Sequence, residues 1–159
     1  MFKNILLIGG AVVVKVLNGK FLWLIVKNAE NNGWELPKVV VRKTESSVRA
    51  VIRTMGEQGS MRAKVLEEVG RINSTVKKGD KVINQKQIFY LMLHRADSGE
   101  SIGFSESEWL ENTKASKKLN LKREVQILRD AGKMFKSWFK ERKGKLRFAE
   151  DEQAEQTEY

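Results

Sequence analysis

The sequence of 159 residues has no cysteine, a single histidine and no apolar run long enough to cross a membrane. Without cysteine there can be no disulfide scaffold, thiolate zinc site, iron–sulfur cluster or cysteine nucleophile. One histidine, His94, excludes a His-x-x-x-His metal pair and any two-histidine mechanism within one chain. The longest apolar stretches, residues 5–14 and 21–26, are interrupted by Gly, Asn and Lys. They fall short of the ~20 residues a membrane helix needs. The early apolar run continues into strand-like valines with no small-residue cleavage site, so no signal peptide is expected. Lack of cysteine fits the cytoplasm or another reducing soluble compartment.

Acid is scarce as well. Lysine and arginine number 30 against 20 aspartate and glutamate, a net charge of +10. Five of those acids (Glu150, Asp151, Glu152, Glu155 and Glu158) lie in the last ten residues, which leaves +15 on residues 1–149. A body that basic attracts polyanions such as RNA, nucleotides or polyphosphate, although charge also serves solubility alone. The length predicts one domain, residues 1–145, followed by a charged, disordered acidic tail over 146–159.

Residues 5–15 and 21–27 are rich in β-branched and aromatic side chains, with Asn18-Gly19 between them, which predicts a hairpin. Residues 34–41 read as extended, since Pro37 opposes helix. Over 46–58 the period changes: Val48, Val51, Ile52 and Met55 recur at three and four residues behind Ser46, a suitable N-cap. Residues 61–73 and 82–95 read as two further strands joined by a basic turn over 77–81. In the second, Ile88, Tyr90 and Met92 alternate with Phe89, Leu91 and Leu93, so both faces are apolar and the strand should be central. Residues 96–120 read as polar connection with one apolar island at Trp109-Leu110.

Residues 121–143 carry the clearest helical pattern. Leu121, Val125, Leu128, Phe135 and Phe139 form one stripe, and Ile127, Ala131, Met134 and Trp138 a second. Lys122, Arg129, Lys133, Lys136, Lys140 and Lys143 make a basic ridge on the other side. The predicted class is α+β, a mixed sheet sandwiched between helices.

At residues 34–61 the sequence resembles a Nudix box. The stretch Trp34-Glu35-Leu36-Pro37-Lys38, a loop and a helix follow that family's pattern, and the flanking strands and late tryptophan match around it. Laid on the pattern without a gap, the first Gly falls on Val39, the first Glu on Glu45 and the Arg on Arg53. The three helix carboxylates fall on Thr54, Glu57 and Gln58, and the late Gly on Ser60. The resemblance implies a Nudix-like fold over about residues 4–140. It also implies chemistry in which water attacks a diphosphate while the box carboxylates hold Mg²⁺.

Here only one of the three helix positions is charged, with Arg49 and Arg53 beside it. A lone carboxylate does not offset the cost of partly dehydrating Mg²⁺. The residues the resemblance singles out are Glu57, Arg53 and Glu45 for residual chemistry, with Glu57 the one remaining metal position. Lys38, Arg42, Lys43 and Trp34 would contact a phosphate-bearing ligand. The leading expectation is a Nudix-fold protein that has lost hydrolysis, needs no cofactor and binds RNA, a ribonucleoprotein or a nucleotide. Lys122, Arg129, Lys133, Lys136, Lys140 and Lys143 would make that contact, with Trp34, Trp109 and Trp138 as possible stacking surfaces. The alternative is a divergent Mg²⁺-dependent pyrophosphohydrolase of nucleoside or dinucleoside polyphosphates, in which Glu67 or Glu68 supplies the missing ligands. His94, at a strand end, has no partner that would make it a general base.

Overall fold

Strand β1 (Ile5–Leu17) and strand β2 (Lys20–Lys27) form the expected hairpin, with positive φ at Asn18 (51°) and Gly19 (77°). Two positive φ angles in a two-residue loop match the right-handed twist of the flanking strands. The extended segment after it divides into β3 (Trp34–Glu35) and β4 (Lys38–Val40), which pair with different partners, β2 and β1. The split falls at Pro37, which has no N–H to give a ladder. Its carbonyl accepts from Ala11 N at 2.9 Å. The structure, a computed structural model, describes the backbone of residues 5–99 and 103–157 and side chains of those residues as far as Arg142.

Helix α1 (Ser47–Glu57) starts at Ser46, whose hydroxyl accepts from Arg49 N at 3.2 Å. Its buried face is Ala50, Val51, Thr54 and Met55, whereas Ile52, expected on that face, is 46% exposed. Strands β5 (Met61–Lys78) and β6 (Lys81–Asp97) then form a long hairpin. Both run further than their apolar patterns, so the turn is only Gly79-Asp80, with Gly79 at φ 63°. Strand β6 also pairs in parallel with β1, so it is interior to a sheet ordered β3-β2-β1-β6-β5.

Strand β7 (Ser107–Leu110) pairs with β2, and helix α2 (Asn112–Lys118) follows it, within residues read from the sequence as plain connection. Neither has an apolar period to display. The strand is four residues long, and the helix buries only Ala115 and Ser116. Helix α3 (Lys122–Thr157) is longer than the pattern over 121–143. Residues 146–157, expected to be a disordered tail, continue its helical backbone. Ala, Glu and Gln, all good helix formers, make up seven of these twelve residues.

The two faces of β6 build two cores. Ile88, Tyr90 and Met92 pack with Ala11, Val13, Val51 and Met55 under α1. Phe89, Leu91 and Leu93 pack with Trp23, Leu128, Ala131 and Phe135 under α2 and α3. The architecture is therefore α+β, a seven-stranded mixed sheet between helices.

Gly9 and Gly10 of β1 admit this arrangement. A Cβ on Gly9 would stand 2.9 Å from Val51 Cγ1, and one on Gly10 2.3 Å from the Phe89 ring. Gly56 in α1 is the opposite case, with open space where its Cβ would be. Gly10→Ala is expected to lower stability by about 1–3 kcal/mol through overpacking. Gly56→Ala should raise it by roughly 0.5–1 kcal/mol through helix propensity. Denaturant titration of both variants checks the contrast.

Candidate functional site

The loop between β4 and α1 is closed by one ion pair. Arg53 reaches back eight residues and donates Nε to Glu45 Oε2 at 3.0 Å and Nη2 to Oε1 at 2.6 Å. Glu45 also accepts from the Arg42 backbone N–H at 3.0 Å. The bidentate Arg53 contact, aided by that N–H, lowers the Glu45 pKa from 4.5 to about 2. Arg53 also lies 3.7 Å from Glu57 Oε2, one turn along the helix, so both carboxylates nearest it share a single guanidinium. Val39 lies in β4 opposite Gly9, without the positive φ a glycine there would allow.

The remaining box positions have other occupations. Thr54 is 1% exposed, and its hydroxyl has no hydrogen-bond partner. Gln58 ends the helix under the segment after β6: Gly103 N donates to its carbonyl at 3.2 Å, and a Cβ on Gly103 would overlap the Gln58 side chain. The left-handed residue that stops the helix is Ser60 (φ 47°) and not Gly59, so a serine holds the angle at the family's late glycine.

This donor set does not fit a magnesium ion. It offers one charged oxygen donor, Glu57, which is 61% exposed and already beside Arg53. The buried Thr54 hydroxyl is neutral, and Mg²⁺ demands near-ideal octahedral oxygen coordination. Among the described residues no three His, Asp or Glu side chains are grouped to hold a metal. Glu68 does not repair the deficit. It pairs in register with Tyr90, whose hydroxyl is 2.6 Å from Ser47 Oγ at the start of α1, and Glu57 lies ten residues further along. Ten helical residues span about 15 Å. Glu68 is instead held by Arg71 at 2.9 Å. Glu67 is in register with Leu91, a residue of the core under α3.

The expected ligand-binding residues are placed differently from one another. Lys38 is not free to reach a phosphate. Its ammonium contacts Glu124 Oε2, lies 3.3 Å from Glu35 Oε2 and donates to the Leu36 carbonyl at 3.3 Å. Trp34 is half-buried against the α3-side core, with the Lys118 ammonium 5.2 Å and the Lys27 ammonium 5.8 Å from its ring centre. Arg42 and Lys43 are exposed on the loop. His94 does have a partner, Asp97 at 2.8 Å, and its ring meets Trp109 edge-on.

Glu124 is the residue that sequence reading missed. It is 1% exposed and accepts from Leu36 N at 2.8 Å, so it ties the Leu36-Pro37-Lys38 stretch to α3. Burial pushes its carboxyl up, against Lys38 and the Leu36 N–H, which pull it down. Its signal was its position: three and four residues before Ile127 and Leu128, it falls on the apolar face of α3.

On the opposite side of α3, Lys122, Arg129, Lys133, Lys136 and Lys140 are exposed as the ridge predicts; the Lys143 side chain lies outside the described residues. None of these five meets a carboxylate among the described residues. Lys20, Lys27, Lys38, Arg53, Arg71 and Lys118 all do. Arg129, Lys133 and Lys136 border a cleft of about 630 Å³ between α3, α2 and β2, which also holds Glu111 and Lys20. Gly132 lets α2 approach there: Asn112 Nδ2 donates to the Leu128 carbonyl at 3.0 Å, where a Gly132 Cβ would stand 2.7 Å from that nitrogen.

Two variants test the charge pairs. A depressed folded-state pKa adds stability that is complete above about 4.5 and is lost as pH falls through about 2. The stability gap between the parent and Glu45→Gln, present near neutrality, should therefore close between pH 4.5 and 2. Denaturant midpoints across that range measure it, and a constant gap would show that the pair contributes nothing. Glu124→Ala leaves Lys38 with Glu35 alone at a site only 17% exposed and strips the Leu36 N–H of its acceptor, which should cost about 3 kcal/mol in the same assay. A Lys38→Met, Glu124→Leu double variant should recover much of it.

No family model matches the chain, and no curated protein does. Its structure is nevertheless similar to solved ones. An Ap4A hydrolase of C. elegans in a binary complex matches with a TM-score of 0.63 and 19% identity, over 83% of this chain and 98% of that one. The NUDIX domain of Shewanella oneidensis NrtR, complexed with ADP ribose, matches at 0.60 and 18%, over 84% and 90%. A mutT/nudix family protein from Listeria innocua matches at 0.61 and 20%, over 87% and 98%. The chain has the fold of the Nudix proteins.

Proposed function

We propose that this Nudix-fold chain binds single-stranded RNA along the cationic side of α3 and does not hydrolyse a diphosphate bond. The observation that carries the reading is the row of five exposed cations on α3 without carboxylate partners, beside a cleft. An unpaired lysine row costs self-repulsion unless phosphates neutralise it, and releasing their counterions drives association. The box supports the second half of the reading, because Arg53 occupies Glu45 and Glu57 where a metal cradle would need them. The structural likeness to an Ap4A hydrolase and to a NUDIX domain complexed with ADP ribose supports a ligand built of nucleotides. The same likeness supports the rival reading, a divergent Mg²⁺-dependent pyrophosphohydrolase, and one assay separates the two.

With Mg²⁺ or Mn²⁺ and a panel of nucleoside polyphosphates, ADP-ribose and dinucleoside polyphosphates, no phosphate release above background is expected. Turnover that Glu57→Gln abolishes would overturn that half of the reading. RNA affinity should fall steeply with salt. The double variant Lys133→Gln, Lys136→Gln should reduce the slope of log affinity against log salt by about two. No binding of the parent at roughly 50–100 mM salt, or a flat slope, would remove the RNA proposal.

A further inference from the structure

The apolar stripe of α3 continues beyond Phe135 along the ends of β1 and β6 and the start of β5, where Val16, Leu93, Arg95 and Lys64 lie beneath it. Phe135 is fully buried, but Trp138 and Phe139, the next stripe positions, are only partly covered. Under them lies a slot of about 280 Å³, at the small end of ligand pockets, floored by Leu93 of β6. Lys64, Arg95 and Arg142 line it, and among the described residues no acidic side chain does. All three cations are exposed, and among the described residues none meets a carboxylate.

The rings are arranged in series. Phe135 and Trp138 are stacked at 5.6 Å with 21° between planes, and the Arg142 guanidinium lies 5.5 Å from the Trp138 ring centre. Aromatic walls with cations alone at the rim match a flat base carrying a phosphate, because bases stack on both rings and guanidinium planes. A purely apolar ligand would leave three cations unused, and a polyphosphate without bases would leave the rings unused.

We propose that this slot takes one unpaired nucleotide of a bound RNA strand, its base against Trp138, Phe139 and Arg142 and its phosphate between Lys64 and Arg95. The proposal rests on the RNA reading above but uses different residues from the ridge of Lys133 and Lys136, so the two can fail separately.

The test compares the full chain with Trp138→Leu, Trp138→Phe and the surface double variant Lys64→Gln, Arg95→Gln. The probes are a short single-stranded RNA, the same ribose-phosphate strand without bases, and AMP. Trp138→Leu should weaken RNA binding about tenfold while leaving the abasic strand unchanged, and Trp138→Phe should restore most of the loss. The double variant should weaken both strands and lower the salt slope by about two. Equal losses for both strands in Trp138→Leu, or no loss, would overturn the slot while leaving the ridge standing. AMP bound as tightly as the RNA would overturn the assignment to a strand. A parent that binds no RNA would overturn both readings together.

Discussion

Strand β6 is apolar on both faces, and a strand of that kind is stable only where both faces are covered. The pairing of β6 with β1 on one side and β5 on the other makes it interior, and α1 and α3 cover its two faces. Gly9 and Gly10 let that happen at close range, one yielding space to α1 and the other to the Phe89 ring. A consequence is that the box helix and the cationic helix lie on opposite faces of one sheet. The Glu45–Arg53 pair and the exposed lysines of α3 are thus separated by the whole thickness of the core.

The charges are divided along the same line. At the box, Glu45 and Glu57 share Arg53; elsewhere Glu68 is paired with Arg71, and Glu35 and Glu124 with Lys38. Bidentate and partly buried contacts of this kind hold loops in place but leave few charges free for a ligand. On α3 the exposed cations Lys122, Arg129, Lys133, Lys136 and Lys140 meet no carboxylate among the described residues. A protein whose carboxylates are committed to structure and whose cations are left available is better suited to holding an anion than to seating a divalent metal.

The elements with strong periodicity could be read in advance. The Asn18-Gly19 hairpin, the Ser46-capped helix, the two-faced β6 and the α3 stripes were visible because side-chain spacing repeats the geometry of the element. The elements that were missed had no such repeat: β7 is four residues long, and α2 buries only an alanine and a serine. Among site residues, Glu45 and Arg53, both singled out by the resemblance, meet in the structure. Lys38 was assigned to a ligand because its partner, Glu124, lies 86 residues away and no local pattern connects them.

Sequence by itself determined the class of fold, the two-sided central strand, the single carboxylate among residues 54, 57 and 58 and the cationic side of the last helix. Each of these is a matter of residue identity at a fixed local spacing, which the chain carries wherever it folds. Only the tertiary structure decided which charges are neutralised: Lys38 meets Glu124, while Lys64, Arg95 and Arg142 are left facing a slot. Ion pairing depends on distances of a few ångströms between residues far apart in the chain, and those distances come into being only when the sheet and helices pack.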